Sequence, residues 1–235
     1  MADLQQIEQR SEEWYKMREG RFTASDCIDL CADGSRKMDE FELSVYKKEN
    51  PKGKKTTTWD IPEGLKTKAL EKAIEYFIGL EEQPEYLPKD MQRGVDLEPL
   101  AFEKFKELKE VEFLTVENCG FFEDGEDSGS SPDGLVSDNA VLEIKCPNRK
   151  TFFDLVRTNE INKKYLYQMQ KQMHDTGSEK CYFFNYYIHE GLELYHEIIV
   201  LRDEEIINLI QKRIKIAIEL RNQYISEIKN NRQWK

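Results

Sequence analysis

The spacing of hydrophobic positions changes several times along the chain, and each change marks an element. In "GLKTKALEKAIEYFIGL" (Gly64 to Leu80) and "RGVDLEPLAFEKFKELKE" (Arg93 to Glu110), apolar side chains recur every three or four residues, which predicts amphipathic helices. From Val111 to Pro147 the period drops to two and is broken by Gly, Asp and Ser, which predicts a meander of short strands. "TFFDLVRTNEINKKYLYQMQKQMHDTG" returns to helical spacing. "KCYFFNYYIHEGLELYHEIIVL" reads as two strands around a turn at Glu190 and Gly191, and the stretch from Asp203 to Asn231 as one long helix. Near the start, "SEEWYKMREGRFTASDCIDLCADG" predicts a helix, a turn at Gly20 and a second helix, with Thr23 or Ser25 as its cap and Gly34 just past its end. Residues 40–92 are less regular outside the helical run. The order of elements predicts one α/β domain over residues 1–235, a mixed sheet covered by helices.

Composition narrows the class. With 39% hydrophobic and 34% charged residues among 235, the chain has enough apolar surface for a core and a heavily charged exterior. No stretch approaches the roughly 18 apolar residues of a membrane span. The first twenty residues are polar and charged, unlike a secretory signal, so the expected location is the cytoplasm. The five cysteines, Cys27, Cys31, Cys119, Cys146 and Cys181, are odd in number and scattered, which predicts free thiols. Cys27 and Cys31 lie four apart, but no tight His or Cys pair follows to complete a thiolate metal site.

A net charge of −11 argues, taken alone, against a nucleic-acid partner. Its distribution changes that picture. Acids crowd between Glu98 and Asp138, while lysines crowd in "YKKENPKGKKTTTWD" and "NKKYLYQMQKQ". A focused acidic site beside basic surfaces is compatible with DNA binding through metal ions; the lysine run read alone is a solvated loop.

The candidate chemistry lies in "GSSPDGLVSDNAVLEIKCP", Gly129 to Pro147. In a strand "AVLEIKC", Glu143 and Lys145 share one face and Leu142 and Ile144 the other. The apolar pair faces a core, and the Glu–Lys pair a cleft or solvent. "SPDG" places Asp133 at the end of the preceding strand and "SDN" turns the chain back, so pairing of the two strands brings Asp133 close to Glu143. Two close carboxylates repel unless a cation lies between them, and oxygen ligands suit Mg²⁺ or Mn²⁺ rather than zinc. Lys145 beside such an ion would orient or deprotonate water, or stabilise charge on a phosphate. An exposed Glu–Lys pair on a surface hairpin is the plainer alternative. A third acid shifts the balance. Glu98 is three before Ala101 and four before Phe102, on or beside the buried face of its helix, where a carboxylate is costly unless paired or bound to metal. An EF-hand is excluded in "DGEDSGSSPDGL", because Leu135 occupies the position that needs Glu.

"SPDG" followed by "EIK" resembles the PD-(D/E)xK nuclease signature. "CP" after the lysine, "WYKMREGRFTASD" near the start and "YLYQMQKQM" after the signature narrow the resemblance to the lambda exonuclease family of phage recombination nucleases, the YqaJ-type viral recombinases. The matching blocks cover about Trp14 to Ser25 and Arg93 to Leu201. The resemblance implies a restriction-endonuclease-like fold and Mg²⁺-dependent 5′-to-3′ digestion of one strand of linear double-stranded DNA, with two ions per site, Mn²⁺ as a substitute, and a 3′ single strand as product. It further implies a phage or prophage protein in a bacterial host, a homotrimeric ring around DNA, and a single-strand-annealing recombination protein as partner. By position, Asp133, Glu143 and Glu98 would hold metal with the Ile144 carbonyl. Lys145 would be the catalytic lysine, Gln168 would assist around the reactive water, and Arg18, Ser25 and Ser131 would bind the 5′-phosphate. Residues 40–92 depart from the family pattern, and the part that opens the duplex end is expected there. Other readings of the same signature are an endonuclease or a non-catalytic DNA-binding subunit.

Overall fold

The computed structural model describes residues 7–80 and 88–231. Part of the irregular 40–92 stretch, residues 81–87, and the first six residues of the polar N-terminal segment lie outside the described residues. The elements run α1 (Glu12–Arg18), β1 (Phe22–Thr23), a 3₁₀ turn (Ala24–Asp26), α2 (Cys27–Leu30), β2 (Ser35–Lys37), α3 (Glu40–Glu49), β3 (Thr57–Trp59), α4 (Glu63–Ile78) and α5 (Lys89–Val111). They continue with β4 (Val116–Glu117), β5 (Phe122–Asp124), β6 (Ser128–Ser130), β7 (Gly134–Val136), β8 (Ala140–Lys145), α6 (Arg149–Thr158), α7 (Lys163–Thr176), β9 (Lys180–His189), β10 (Leu192–Leu201) and α8 (Glu204–Asn231).

The main sheet has the order β10-β9-β8-β7-β4, with β8 and β9 parallel and the other neighbours antiparallel. The parallel pair needs a crossover, and α6 and α7 supply it. Alternation along β8 and β9 splits the core by face. Leu142, Ile144, Phe184 and Tyr186 pack with Ala101, Phe102 and Phe105 of α5. Val141, Cys181 and Phe183 pack with Leu155 of α6 and with Met169 and Met173 of α7. A third cluster joins Phe22, Leu30, Leu65, Tyr167 and Ile214, so that α2, α4, α7 and α8 share apolar surface. A smaller sheet, β1-β6-β5, sits against α7, with β1 parallel to β6.

Most predicted elements occupy their expected places, and the mixed sheet flanked by helices is the fold the pattern implied. Two local readings change. After Gly20, whose φ is +69°, the chain adds β1 before any helix, and Thr23 closes a capping box with Asp26 over a 3₁₀ turn. The expected second helix is therefore a single α-turn. The helical stretch after Thr151 also divides: Asn159 ends α6 in the left-handed region and Asn162 caps α7. All five cysteines are buried and unpaired, as predicted. No helix among the described residues is long and apolar enough to cross a membrane.

Candidate functional site

The site grows from the β7–β8 hairpin. Gly134 pairs with Leu142 and Val136 with Ala140, and Asn139 takes a left-handed φ of 62° to close the turn. The same register sets Asp133 opposite Glu143. Asp133 donates its backbone N–H to the Leu142 carbonyl at 2.9 Å, and its Oδ2 accepts the Ile144 N–H at 2.6 Å. Asp133 thus extends the β7–β8 ladder by one residue ahead of Gly134, where β7 begins.

The Glu143 side chain faces neither solvent nor an open cleft. It is fully buried under α7. Gln168 donates from Nε2 to its Oε1 at 2.7 Å, and Gln172 donates from Nε2 to its Oε2 at 2.7 Å. Lys145 forms an ion pair with the same Oε1 and lies 5.3 Å from the Tyr165 ring centre. A carboxylate only accepts, so both glutamines must present their NH₂ groups to it. Lys145 remains about a quarter exposed.

Glu98 reaches the same region from α5. Pro99 follows it, removing one amide from the helix ladder. Glu98 is partly exposed and accepts from Arg10 Nη2 at 2.7 Å. Asp133, Ile144 and Glu98 line one cleft of about 900 Å³, together with Gln9, Phe102, Lys106 and Cys119.

The electrostatics are those of crowded carboxylates. Burial, then Glu143 and also Glu98, push the Asp133 carboxyl well above its ordinary range, while Lys145 and the Ile144 amide oppose them. Burial works against the charge on Lys145, but Glu143 and Asp133 outweigh it and hold its pKa above the ordinary value. Lys145 is therefore an ammonium at neutral pH and not a free base. Burial, then the Glu98 charge, push the Cys146 thiol up to about 12, and burial with Asp133 does the same for Cys119. Neither thiol next to the site is a nucleophile at neutral pH.

Could a divalent cation fit? The donor set is carboxylate oxygen with the Ile144 carbonyl beside it, which suits Mg²⁺. The raised pKa of Asp133 comes first from burial and then from the Glu143 charge, and a bound cation would offset both. The ligand atoms gathered within 4.8 Å among the described residues are nonetheless different ones, on Asp124, His174 and Asp175. That second cluster carries its own cation. The fully buried Lys171 ammonium lies 3.0 Å from Asp124 Oδ2 and 2.5 Å from Asp175 Oδ1, with Gln211 on Asp124 and Ser130 on Asp175. An ion there would have to expel a buried ammonium, at high cost.

Of the residues matched to a 5′-phosphate pocket, Arg18 and Ser131 both contact Trp14, while Ser25 is placed by Thr23. Trp14 Nε1 donates to Ser131 Oγ at 2.8 Å, and the Arg18 guanidinium stacks 4.2 Å from the Trp14 ring centre. Ser25 Oγ lies 2.9 Å from Thr23 Oγ1. Burial lowers the Arg18 pKa, with Asp26 opposing. The Arg18 guanidinium makes no hydrogen bond or ion pair among the described residues, so its donors are free for an anion.

Sequence reasoning missed Gln172, Trp14 and Arg10 as parts of the site. Gln172 had a signal: it lies four residues after Gln168, on the same helix face. Trp14 stood in the N-terminal block as an aromatic without an assigned role. Arg10 had no local signal, since its partner is 88 residues away.

A five-stranded mixed sheet flanked by helices, with Asp133 set across from Glu143 and Lys145, defines the restriction-endonuclease-like class of folds. The comparisons carry this further. The model of the YqaJ-like viral recombinase domain matches residues 13–179, so the chain belongs to that family. The chain is similar in structure to LHK-Exo, an alkaline exonuclease from Laribacter hongkongensis, at 25% identity and a TM-score of 0.72, covering 94% of this chain and 97% of that one. Against LHK-Exo in complex with dAMP the values are 26% and 0.73, with the same coverage. A phage-related exonuclease from Haemophilus somnus 129PT shares the fold at 16% identity and a TM-score of 0.66, over 91% of this chain and 99% of that one. No curated protein sequence matches.

Proposed function

We propose that the protein is a Mg²⁺-dependent 5′-to-3′ exonuclease that degrades one strand of linear double-stranded DNA and leaves a 3′ single strand for recombination by single-strand annealing. The observation that carries the proposal is the Asp133–Glu143–Lys145 cluster, set by strand register and supported from α7. The likeness to an alkaline exonuclease over nearly the whole chain supports the class of reaction.

In this reading Asp133, Glu143, Glu98 and the Ile144 carbonyl hold metal, and two ions per site would supply an activated water and stabilise the leaving oxygen. The chain's own groups do the rest. Gln168 and Gln172 fix both oxygens of Glu143, so that its orientation is set before substrate arrives. Lys145 keeps its proton and offers positive charge to the phosphate or a hydrogen bond to the attacking water. Arg18, stacked on Trp14, takes the terminal 5′-phosphate with Ser131 and Ser25 nearby. We further propose a homotrimer acting with a single-strand-annealing protein, as a phage or prophage product in the bacterial cytoplasm.

The test is a timed digestion of linear duplex with Mg²⁺, with 5′-phosphate or 5′-hydroxyl ends and a closed circle beside it. We expect loss of the phosphorylated strand with the circle intact, no cleavage by Asp133→Ala or Lys145→Ala, and no end preference in Arg18→Ala. Nicking of the circle would mean an endonuclease, and an inert wild type would mean a binding subunit. Sedimentation at three times the 27.8 kDa chain mass would support the trimer.

A further inference from the structure

An arginine borders the acidic cleft. Glu8, Glu98, Glu103, Glu117 and Asp133 line it against a single lining lysine, Lys106. Arg10 enters from the N-terminal segment and pairs with Glu98 at 2.7 Å. The segment that carries it is tied to the site on one side and runs into the α1 cap on the other. Gln9 donates from Nε2 to the Pro132 carbonyl at 2.6 Å and to the Cys119 carbonyl at 3.3 Å. Pro132 is the neighbour of Asp133, so the segment is tied to the turn that presents that carboxylate. Ser11, on the other side, caps α1 through the Trp14 amide. Arg10 sits between these anchors with φ +69°, a conformation that a non-glycine residue adopts only under constraint.

Two ion pairs in the molecule make a useful contrast. Lys171 is fully buried between two aspartates and cannot leave. Arg10 and Glu98 are 41% and 31% exposed, so their pair is weak and exchangeable. An exposed, exchangeable pair on a carboxylate that adjoins a metal site is a pair that an ion can displace. We propose that Arg10 is a resident counter-cation: it holds Glu98 in the metal-free protein and releases it when a divalent cation binds. This rests on the reading of Glu98 as a metal ligand. Arg10 neutralises one of three carboxylates that would otherwise repel one another, and it competes with metal for that carboxylate.

The experiment is calorimetric titration of the DNA-free full chain with Mn²⁺, with thermal melts at zero and saturating Mn²⁺, for wild type, Arg10→Ala, Arg10→Lys, Glu98→Gln and Arg10→Ala/Glu98→Gln. We expect Arg10→Ala to bind Mn²⁺ about fivefold more tightly, the factor an exposed ion pair can supply. It should melt lower than wild type without metal and level with it at saturation. Arg10→Lys should stay near wild type. Glu98→Gln should bind more weakly, and Arg10→Ala should change nothing further on that background. If Glu98→Gln weakens binding while Arg10→Ala leaves it unchanged or weaker, the counter-cation inference fails and Glu98 stands as a ligand. If Glu98→Gln binds like wild type, Glu98 is no ligand and the inference falls with it.

Discussion

Glu143 shows how much one buried side chain requires. It is a carboxylate with no solvent exposure, so every lone pair left without a donor costs stability. Gln168, Gln172 and Lys145 meet that need, and each comes from a different position relative to the strand. Gln172→Leu keeps the volume and removes one donor. We expect hydrolysis to fall about 10- to 100-fold, the usual cost of losing a group that orients a ligand, with an unchanged circular dichroism spectrum. An activity equal to wild type would show that Gln168 and Lys145 suffice. The Asp133–Glu143 relation was legible because strands alternate with period two and the turn residues fixed the hairpin. Gln172 was not singled out, for a physical reason. Gln168, Lys171, Gln172 and Asp175 form a polar stripe at helical spacing, and such a stripe ordinarily faces water. Here it is turned inward, because the strands beneath it carry Glu143 and Asp124.

At the level of elements, the short strands were the least legible. β1 has two residues, too few to show any period, yet it pairs with β6 and helps to fix the segment that leads to Ser131 and Asp133. Gly129 lies at the centre of β6, between Thr23 on one side and Glu123 on the other. A Cβ there would stand 2.4 Å from Phe121 Cζ and 2.4 Å from the Phe122 carbonyl oxygen. Gly129→Ala must therefore push β5 and its aromatic neighbour aside. We expect a loss of about 1–3 kcal/mol, read as a lower melting temperature, and a fall in nuclease activity, because the Asp133 turn begins two residues after β6 ends. A variant as stable as wild type would mean that β5 yields freely. The long helices needed no such care. α4, α5 and α8 carry enough apolar repeats for their buried faces to be read directly.

At the scale of the whole molecule, Asp124 is the joint between the small sheet and two helices. It accepts from Lys171 of α7 and Gln211 of α8, and His174 lies 3.8 Å away. The neighbouring His174 imidazole, then the Lys171 charge and Gln211, hold its carboxyl well below the ordinary value of 3.8, against the opposing effect of burial. A lowered folded-state pKa means stability that is complete above the ordinary value and is lost as pH falls below it. Asp124→Asn should therefore be less stable than wild type at pH 7, by about 1–3 kcal/mol, and the gap should close on acidification below about pH 4. Denaturant midpoints at pH 7, 5 and 3 check this, and a gap constant across the range would rule out the charge as its source.

The main sheet ends in β10, ten residues long and paired on one side only among the described residues. A free strand edge is a template on which another extended chain can grow. β10 carries Glu193 and Glu197, and α5 answers them with Lys104 and Lys109. Charged side chains on an edge strand oppose such growth, because an added chain would have to bury or displace them. The two ion pairs therefore place charge on the strand that the main sheet leaves unpaired on its outer side. Their protection is electrostatic, so it weakens as ionic strength rises and the screening length shrinks. High salt is thus the condition under which the edge of the main sheet is least guarded.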